Sequence, residues 1–385
     1  MDYKNTYGEA KMKLLINGLS LKWPHVGLGV YTQRLIQGLG RSTWQSDVSV
    51  AVDSECSLDY HYFKGRIETV RLKTLGQLPH SLLHDLIWQE MLAYRFCGEE
   101  ELIFHSPTPF SSLCSFENSV VTWHDCIPSR LPQYLGRKGI RRILYHRQVD
   151  ALKRYRAIIA VSEFTKRELI NLYNVPSERV VVIPNHLPGE YLPQPKCGIH
   201  LRMRYSLPEK YWLYVGGYDF RKNVDFLLRS YSMALKDKDL PKLVLAGKIP
   251  PDDAYCCTPV MSIVAELGLN EHVIFSGFVQ TEDLPFVYSN ASLLIYPSQM
   301  EGFGLPPLEA MGCGCTAICT NGSSLNEVIT DSSHRFEIDN FKPLSMMMLS
   351  AASGDLPFNP SFDRNNFSEE RTIKKYTSLI NTLAG

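Results

Sequence analysis

The stretch from Ser292 to Gly314 constrains this chain more than any other. Ser292-Leu-Leu-Ile-Tyr296 is a short apolar run of the kind that makes a buried strand, and Pro297 ends it. Ser298-Gln-Met-Glu301-Gly-Phe-Gly304 then reads as a loop, and Leu305-Pro-Pro-Leu-Glu309 opens a helix. Two prolines suit the first helical positions, where a missing N–H costs nothing. That order leaves the amides of Phe303, Gly304 and Leu305 unpaired at a helix N-terminus, where an anion can bind. Glu301 and Glu309 flank the place with hydrogen-bond acceptors. A phosphate between two sets of hydroxyls describes a nucleotide sugar. A glutamate near a helix start also has the plainer use of complementing the helix dipole, and for Glu309 both readings stand.

The remainder repeats the same strand, loop and helix order. Strand-like runs fall at residues 14–17, 48–52, 67–72, 101–105, 119–124, 157–161 and 180–183, with a helix over 30–39. A second series follows at 211–215, 243–247, 273–279 and 292–296, and a last helical pattern covers 362–383. Such alternation predicts α/β domains with doubly wound parallel sheets, which bind ligands at the carboxyl ends of their strands. A length of 385 residues suits two domains. We place the first at 1–190 and the second at 191–365, joined by a proline-rich linker over 188–195. Residues 366–385 form a helix that returns toward the first domain, and residues 1–11 a polar tail.

Strand ends supply further candidates. After the first strand come Gly27 and Gly29, whose spacing opens a helix and lets a substrate approach the backbone. The G-x-G-x-x-G pattern is incomplete, which disfavours a dinucleotide. His124-Asp125 follows another strand and can meet a sugar hydroxyl, although a lone histidine is more often structural. Gly216-Gly217 leads to Arg221-Lys222, two cations able to hold a diphosphate from two sides. Val279, after Gly277, belongs to a loop that shapes the ligand pocket. Ser162-Glu-Phe-Thr165 is explained by helix capping alone. Asp237-Lys-Asp239 precedes its strand and reads as a solvated turn.

Charge is balanced, with 40 basic and 40 acidic side chains, so nucleic acid is not indicated. The ten cysteines lack zinc spacing, and Cys313, Cys315 and Cys319 read as small core side chains in a reducing compartment. With no signal-like or membrane-spanning run, the expected location is cytoplasmic. Between Arg137 and Arg156 lie eight Lys/Arg and one acid, Asp150, with apolar residues at helical spacing. That pattern suits peripheral contact with an anionic membrane or an acceptor diphosphate; an ordinary solvated helix face is the plainer reading.

Taken together these motifs resemble the family-4 retaining glycosyltransferases of the GT-B fold. The likeness rests on Glu301-x7-Glu309, supported by Arg221-Lys222-Asn223, His124-Asp125, Ser162-Glu-Phe-Thr, Ile183-Pro-Asn185 and Gly27-Leu-Gly29. It is nearest to the mannosyltransferase-like branch that builds bacterial surface polysaccharides. The resemblance implies two facing Rossmann-like domains with a cleft between them, and no metal ion. It implies a nucleoside diphosphate sugar, GDP- or UDP-linked, as donor and a saccharide or lipid-linked saccharide as acceptor. By the same likeness Arg221 and Lys222 hold the diphosphate, and Glu301 contacts the transferred sugar. Glu309 takes the ribose hydroxyls, the 303–305 amides cradle phosphate, and His124 meets the donor sugar near its reacting carbon. Three departures stand out: His186 after Pro-Asn, Gly217 where an arginine is common, and Cys315-Thr-Ala after Gly314. A nucleotide-sugar epimerase or a non-catalytic assembly subunit are the alternatives that share this architecture.

Overall fold

The computed structural model describes residues 13–23, 27–43, 47–53, 67–72, 82–96, 98–99, 101–109, 118–135, 139–194, 198–251, 254–359 and 361–384. The expected N-terminal tail, Cys56, Cys97, Cys114, Cys197, Arg137, Lys138 and Pro195 lie outside them.

Among the described residues, thirteen strands build two wholly parallel sheets. The first contains β1 (Lys13–Asn17), β2 (Asp47–Asp53), β3 (Ile67–Leu72), β4 (Leu102–Ser106), β5 (Ser119–Trp123), β6 (Ala157–Ala160) and β7 (Val180–Val182). Their order across the sheet is β3-β2-β1-β4-β5-β6-β7. The second contains β8 (Tyr211–Val215), β9 (Lys242–Ala246), β10 (Val273–Gly277), β11 (Leu293–Tyr296), β12 (Ala317–Thr320) and β13 (Arg335–Phe336). Its order is β10-β9-β8-β11-β12-β13. Strands covered on both faces need apolar residues at successive positions. Leu14, Leu15 and Ile16, like Leu293, Leu294 and Ile295, are accordingly all buried.

This is the doubly wound α/β architecture expected, with more strands than the sequence reading placed. β12 and β13 were not foreseen, nor were the helices Leu82–Phe96 and Leu284–Asn290. Strand ends moved slightly: β5 stops at Trp123, so His124 is the first residue beyond it. Cys313, Cys315 and Cys319 are buried among apolar neighbours.

Strand order reverses between β1 and β4 in the first sheet and between β8 and β11 in the second. Crevices open at such points beyond the strand carboxyl ends. The final helix, Glu369–Ala384, buries Ile373, Tyr376, Ile380 and Leu383 on one stripe. It packs on the first helix, Gly27–Arg41, and on β4, and Arg156 donates to the Leu383 carbonyl at 2.9 Å. The chain therefore leaves the second domain and finishes on the first.

Candidate active site

The loops after β8 and β11 meet at the switch point of the second sheet. Glu301 Oε1 accepts from Lys222 Nζ at 2.6 Å, Ser298 Oγ at 2.7 Å, Arg221 Nη1 at 2.8 Å and Tyr296 OH at 3.0 Å. Lys222 Nζ also donates to Tyr296 OH, at 2.6 Å. Burial by itself would raise the Glu301 carboxyl, but the facing Lys222 and Arg221 cations outweigh it and hold it at about 2. Burial pulls Lys222 below its ordinary range, with Glu301 offsetting part of that cost. Arg221 is held further by Asp219 at 3.2 Å and by the Met300 carbonyl at 3.0 Å. Among the described residues, Glu301 Oε2 and Arg221 Nη2 keep their hydrogen-bonding capacity, as does one proton of the Lys222 ammonium.

Next in the chain, Gly304 caps the helix Leu305–Gly312 with φ of 107°, a conformation that favours glycine. Pro306 and Pro307 occupy the first turn as expected. The amides of Phe303, Gly304 and Leu305 have no protein acceptor among the described residues, and all three residues line the same cavity. Glu309 is buried on this helix. Its Oε1 accepts from Arg34 of the first domain at 2.8 Å and its Oε2 from Tyr288 OH at 3.2 Å. Glu309 lies beyond the first turn of the helix and pairs with Arg34, so it does more than complement the helix dipole.

The first domain forms the opposite wall. His124 Nε2 lies 2.8 Å from the Pro107 carbonyl, which can only accept, so that nitrogen carries the proton. Burial pushes the imidazole down to about 4, leaving it neutral with Nδ1 as an acceptor. The Tyr31 ring stands edge-on to it, 4.7 Å between centroids. Burial also raises the neighbouring Asp125 carboxyl, whose Oδ1 accepts from the Ile127 amide at 3.0 Å.

A cavity of about 640 Å³ lies between the walls. It is lined by Glu301, His124, Lys222, Arg221, Glu309, Phe303, Gly304, Leu305, Gly217, Gly27 and Val279. Gly29, expected among them, does not line the cavity. A Cβ on it would stand 2.0 Å from the Trp23 carbonyl oxygen, so this glycine lets the first helix close on the preceding turn. Its role is packing, and it does not face the cavity.

Several contacts bridge the cleft. A Cβ on Gly302 would stand 1.8 Å from the His124 carbonyl oxygen, so only glycine allows the two walls to meet there. Thr165 Oγ1 lies 3.3 Å from both the His124 and the Gly302 carbonyls. Tyr134 OH donates to Asp219 at 2.7 Å and accepts from the Arg221 amide at 2.9 Å. Ser162 caps its helix by accepting from the Thr165 amide at 3.0 Å, as the sequence predicts. Glu327 of the second domain adds to this cap, taking the Glu163 and Phe164 amides at 2.8 and 2.7 Å.

Comparison with known proteins matches both halves. Residues 26–188 fit the model for Glycosyltransferase Family 4, and residues 204–347 fit that for Glycosyl transferases group 1. The chain is 29% identical over 364 residues to O-antigen chain mannosyltransferase B of Escherichia coli, covering 89% of this chain and 91% of that one. It is 27% identical over 293 residues to O-antigen chain mannosyltransferase RfbU of Salmonella typhimurium strain LT2, covering 74% and 76%. This chain is a family-4 glycosyltransferase. Its GT-B fold is also that of Anabaena HepE, solved in complex with UDP and glucose, at a TM-score of 0.70 and 16% identity over 96% of this chain and 100% of that one.

In this glycosyltransferase the cavity joins cations, orphan amides and fixed carboxylates, a set able to hold a phosphate group between hydroxyl-bearing rings. Sequence reasoning missed several residues that shape it. Arg34, Lys248 and Tyr288 all line the cavity, and Lys248 follows Gly247 at the end of β9; Asn185, quoted only for the likeness, lines it too. Lys248 shares the strand-then-glycine signal that marked Arg221 and was open to the same argument. Arg34 carried no such signal, because in sequence it is one polar position of an amphipathic helix.

Proposed function

We propose that this chain moves a mannosyl or related hexosyl unit from a nucleoside diphosphate sugar to a hydroxyl of a saccharide or lipid-linked saccharide. We further propose that the transfer retains the anomeric configuration and serves cell-surface polysaccharide assembly. The observation that carries the reading is the Arg221–Lys222–Glu301 knot beside three unpaired amides at a helix N-terminus. The names of the mannosyltransferase relatives support the sugar and the product class.

Chemically, the C1–phosphate bond breaks as the acceptor oxygen bonds to C1, and the departing diphosphate gains charge. Arg221 Nη2, the remaining Lys222 proton and the 303–305 amides are the donors for that charge. Each such preorganised donor is worth roughly 2.7–4 kcal/mol in comparable oxyanion sites. A phosphate oxygen on the same face takes the acceptor's proton, which gives retention without a protein nucleophile. Glu301 Oε2 accepts from a hydroxyl of the transferred sugar, and neutral His124 stands across from it. This scheme requires no metal ion.

Peripheral membrane contact is part of the proposal. The helix Gly139–Ala151 exposes Arg141, Arg142 and Ile143, the last 62% accessible, while Leu144 and Tyr145 are buried. Exposed cations beside an exposed apolar side chain suit an anionic bilayer surface. Among the described residues no helix is long and apolar enough to cross a membrane.

The test is a thermal-shift panel of nucleotide sugars, followed by transfer to a mannose-terminated acceptor and NMR assignment of the new anomeric centre. A selective donor, an extended acceptor and an unchanged anomeric configuration are expected. An inverted centre would remove the retaining step. Isomerised donor without acceptor would redirect the reading to an epimerase.

A further inference from the structure

We infer that Arg34 is a positioning residue that sets Glu309 to take a ribose diol, and so ties nucleotide capture to closure of the two domains. The inference rests on the donor reading above and extends it to a first-domain residue that lies outside every motif. An ionised carboxylate offers about four acceptor sites, two on each oxygen. Arg34 Nη2 fills one on Oε1 and Tyr288 OH fills one on Oε2. One site remains on each oxygen, which is the number a vicinal diol needs.

The two donors come from different places. Tyr288 belongs to the helix Leu284–Asn290 of the second domain, while Arg34 reaches across the cleft from the first helix. Arg34 and Glu309 side chains are only 12% and 8% exposed, so their pairing is little screened by water. The Arg34 guanidinium carbon also lies 5.6 Å from the centroid of the Tyr191 ring. Its Nη1 is buried without a hydrogen-bond partner among the described residues. The guanidinium is therefore hydrogen-bonded to one carboxylate and set over one ring, with Glu190 adding a further attraction, and its link to Glu309 exists only with the two domains together.

The experiment titrates UDP against 2′-deoxy-UDP, and GDP against 2′-deoxy-GDP, into the wild type, Arg34→Met, Arg34→Lys and Tyr288→Phe. Steady-state donor kinetics follow on the same proteins. Wild type should bind one ribonucleotide at least about tenfold more tightly than its deoxy form, the scale of one lost hydrogen bond to a charged group. Arg34→Met should bring that ratio to about one and raise donor KM more than it lowers kcat, and Arg34→Lys should restore part of the ratio. A wild-type ratio in Arg34→Met overturns the inference, as does a wild type indifferent to the 2′-hydroxyl. Should Arg34→Met not fold, an unchanged ratio in both Arg34→Lys and Tyr288→Phe overturns it instead. Failure of the wild type to bind either ribonucleotide would sink the donor reading itself, a distinct result.

Discussion

Gly302→Ala tests whether the seam between the two walls sets the geometry of the site. The new Cβ would stand 1.8 Å from the His124 carbonyl oxygen, 2.8 Å from its carbon and 3.1 Å from the Asp125 Cβ. Real Cβ atoms essentially never come closer than 3.0 Å to such an atom, so the walls must part by more than 1 Å. All three neighbours belong to the first domain, and Gly302 lacks the left-handed φ that would strain alanine. Each domain therefore keeps its own core, while Glu301 moves relative to His124. Misplacing reacting groups by about 1 Å costs roughly a hundredfold in rate. Turnover of Gly302→Ala should fall by that factor with a melting temperature near wild type, measured beside Gly189→Ala, whose added Cβ meets nothing within 4 Å. Wild-type turnover in a folded Gly302→Ala protein would refute the reasoning.

Glu301→Gln removes the charge that holds Lys222 and Arg221. Turnover should fall about a hundredfold or more and urea unfolding should shift by about 3 kcal/mol, because breaking a buried pair leaves uncompensated cations. Tyr134→Phe deletes the hydroxyl that joins Asp219 to the Arg221 amide; a rise of several-fold in donor KM, read by initial rates, is expected. His105 is wholly buried between Thr122 and Tyr376, and burial pushes it down to about 3. Its neutral form belongs to the fold, so its contribution is present above the unfolded value near 6.5 and is lost as pH falls toward 3. Denaturant titrations from pH 6.5 to 4.5 should lose up to about 1.4 kcal/mol per pH unit from this group, and His105→Gln should flatten the slope. Charge reversal at Arg141 and Arg142 should abolish salt-sensitive sedimentation with anionic vesicles; unchanged binding would leave the helix an ordinary solvated face.

The strands were legible because parallel strands covered on both faces need unbroken apolar runs, and β1, β8 and β11 have them. Arg335–Phe336 is too short to leave any pattern, and β12 was hidden by its cysteine and threonine. At the site, Arg221 and Lys222 were legible from position alone, as cations soon after a strand and a glycine pair, and Glu301 as a carboxylate in the loop between a strand and a glycine-led helix start. Arg34 and Glu327 were not, since each meets a partner more than 160 residues away in sequence. Gly29 shows the opposite error. A glycine near a strand end can serve a ligand or a neighbouring backbone, and only the 2.0 Å approach to Trp23 separates the two.

A nucleoside diphosphate sugar held by Arg221 and Lys222 is central to the proposed transfer. Calorimetric titration of GDP-mannose and UDP-glucose into wild type and Lys222→Ala tests that most directly. One of the two should bind the wild type and bind Lys222→Ala at least about tenfold more weakly, on the scale of a charge-assisted hydrogen bond. Equal affinity in both proteins, or no binding of either sugar nucleotide to the wild type, would contradict it.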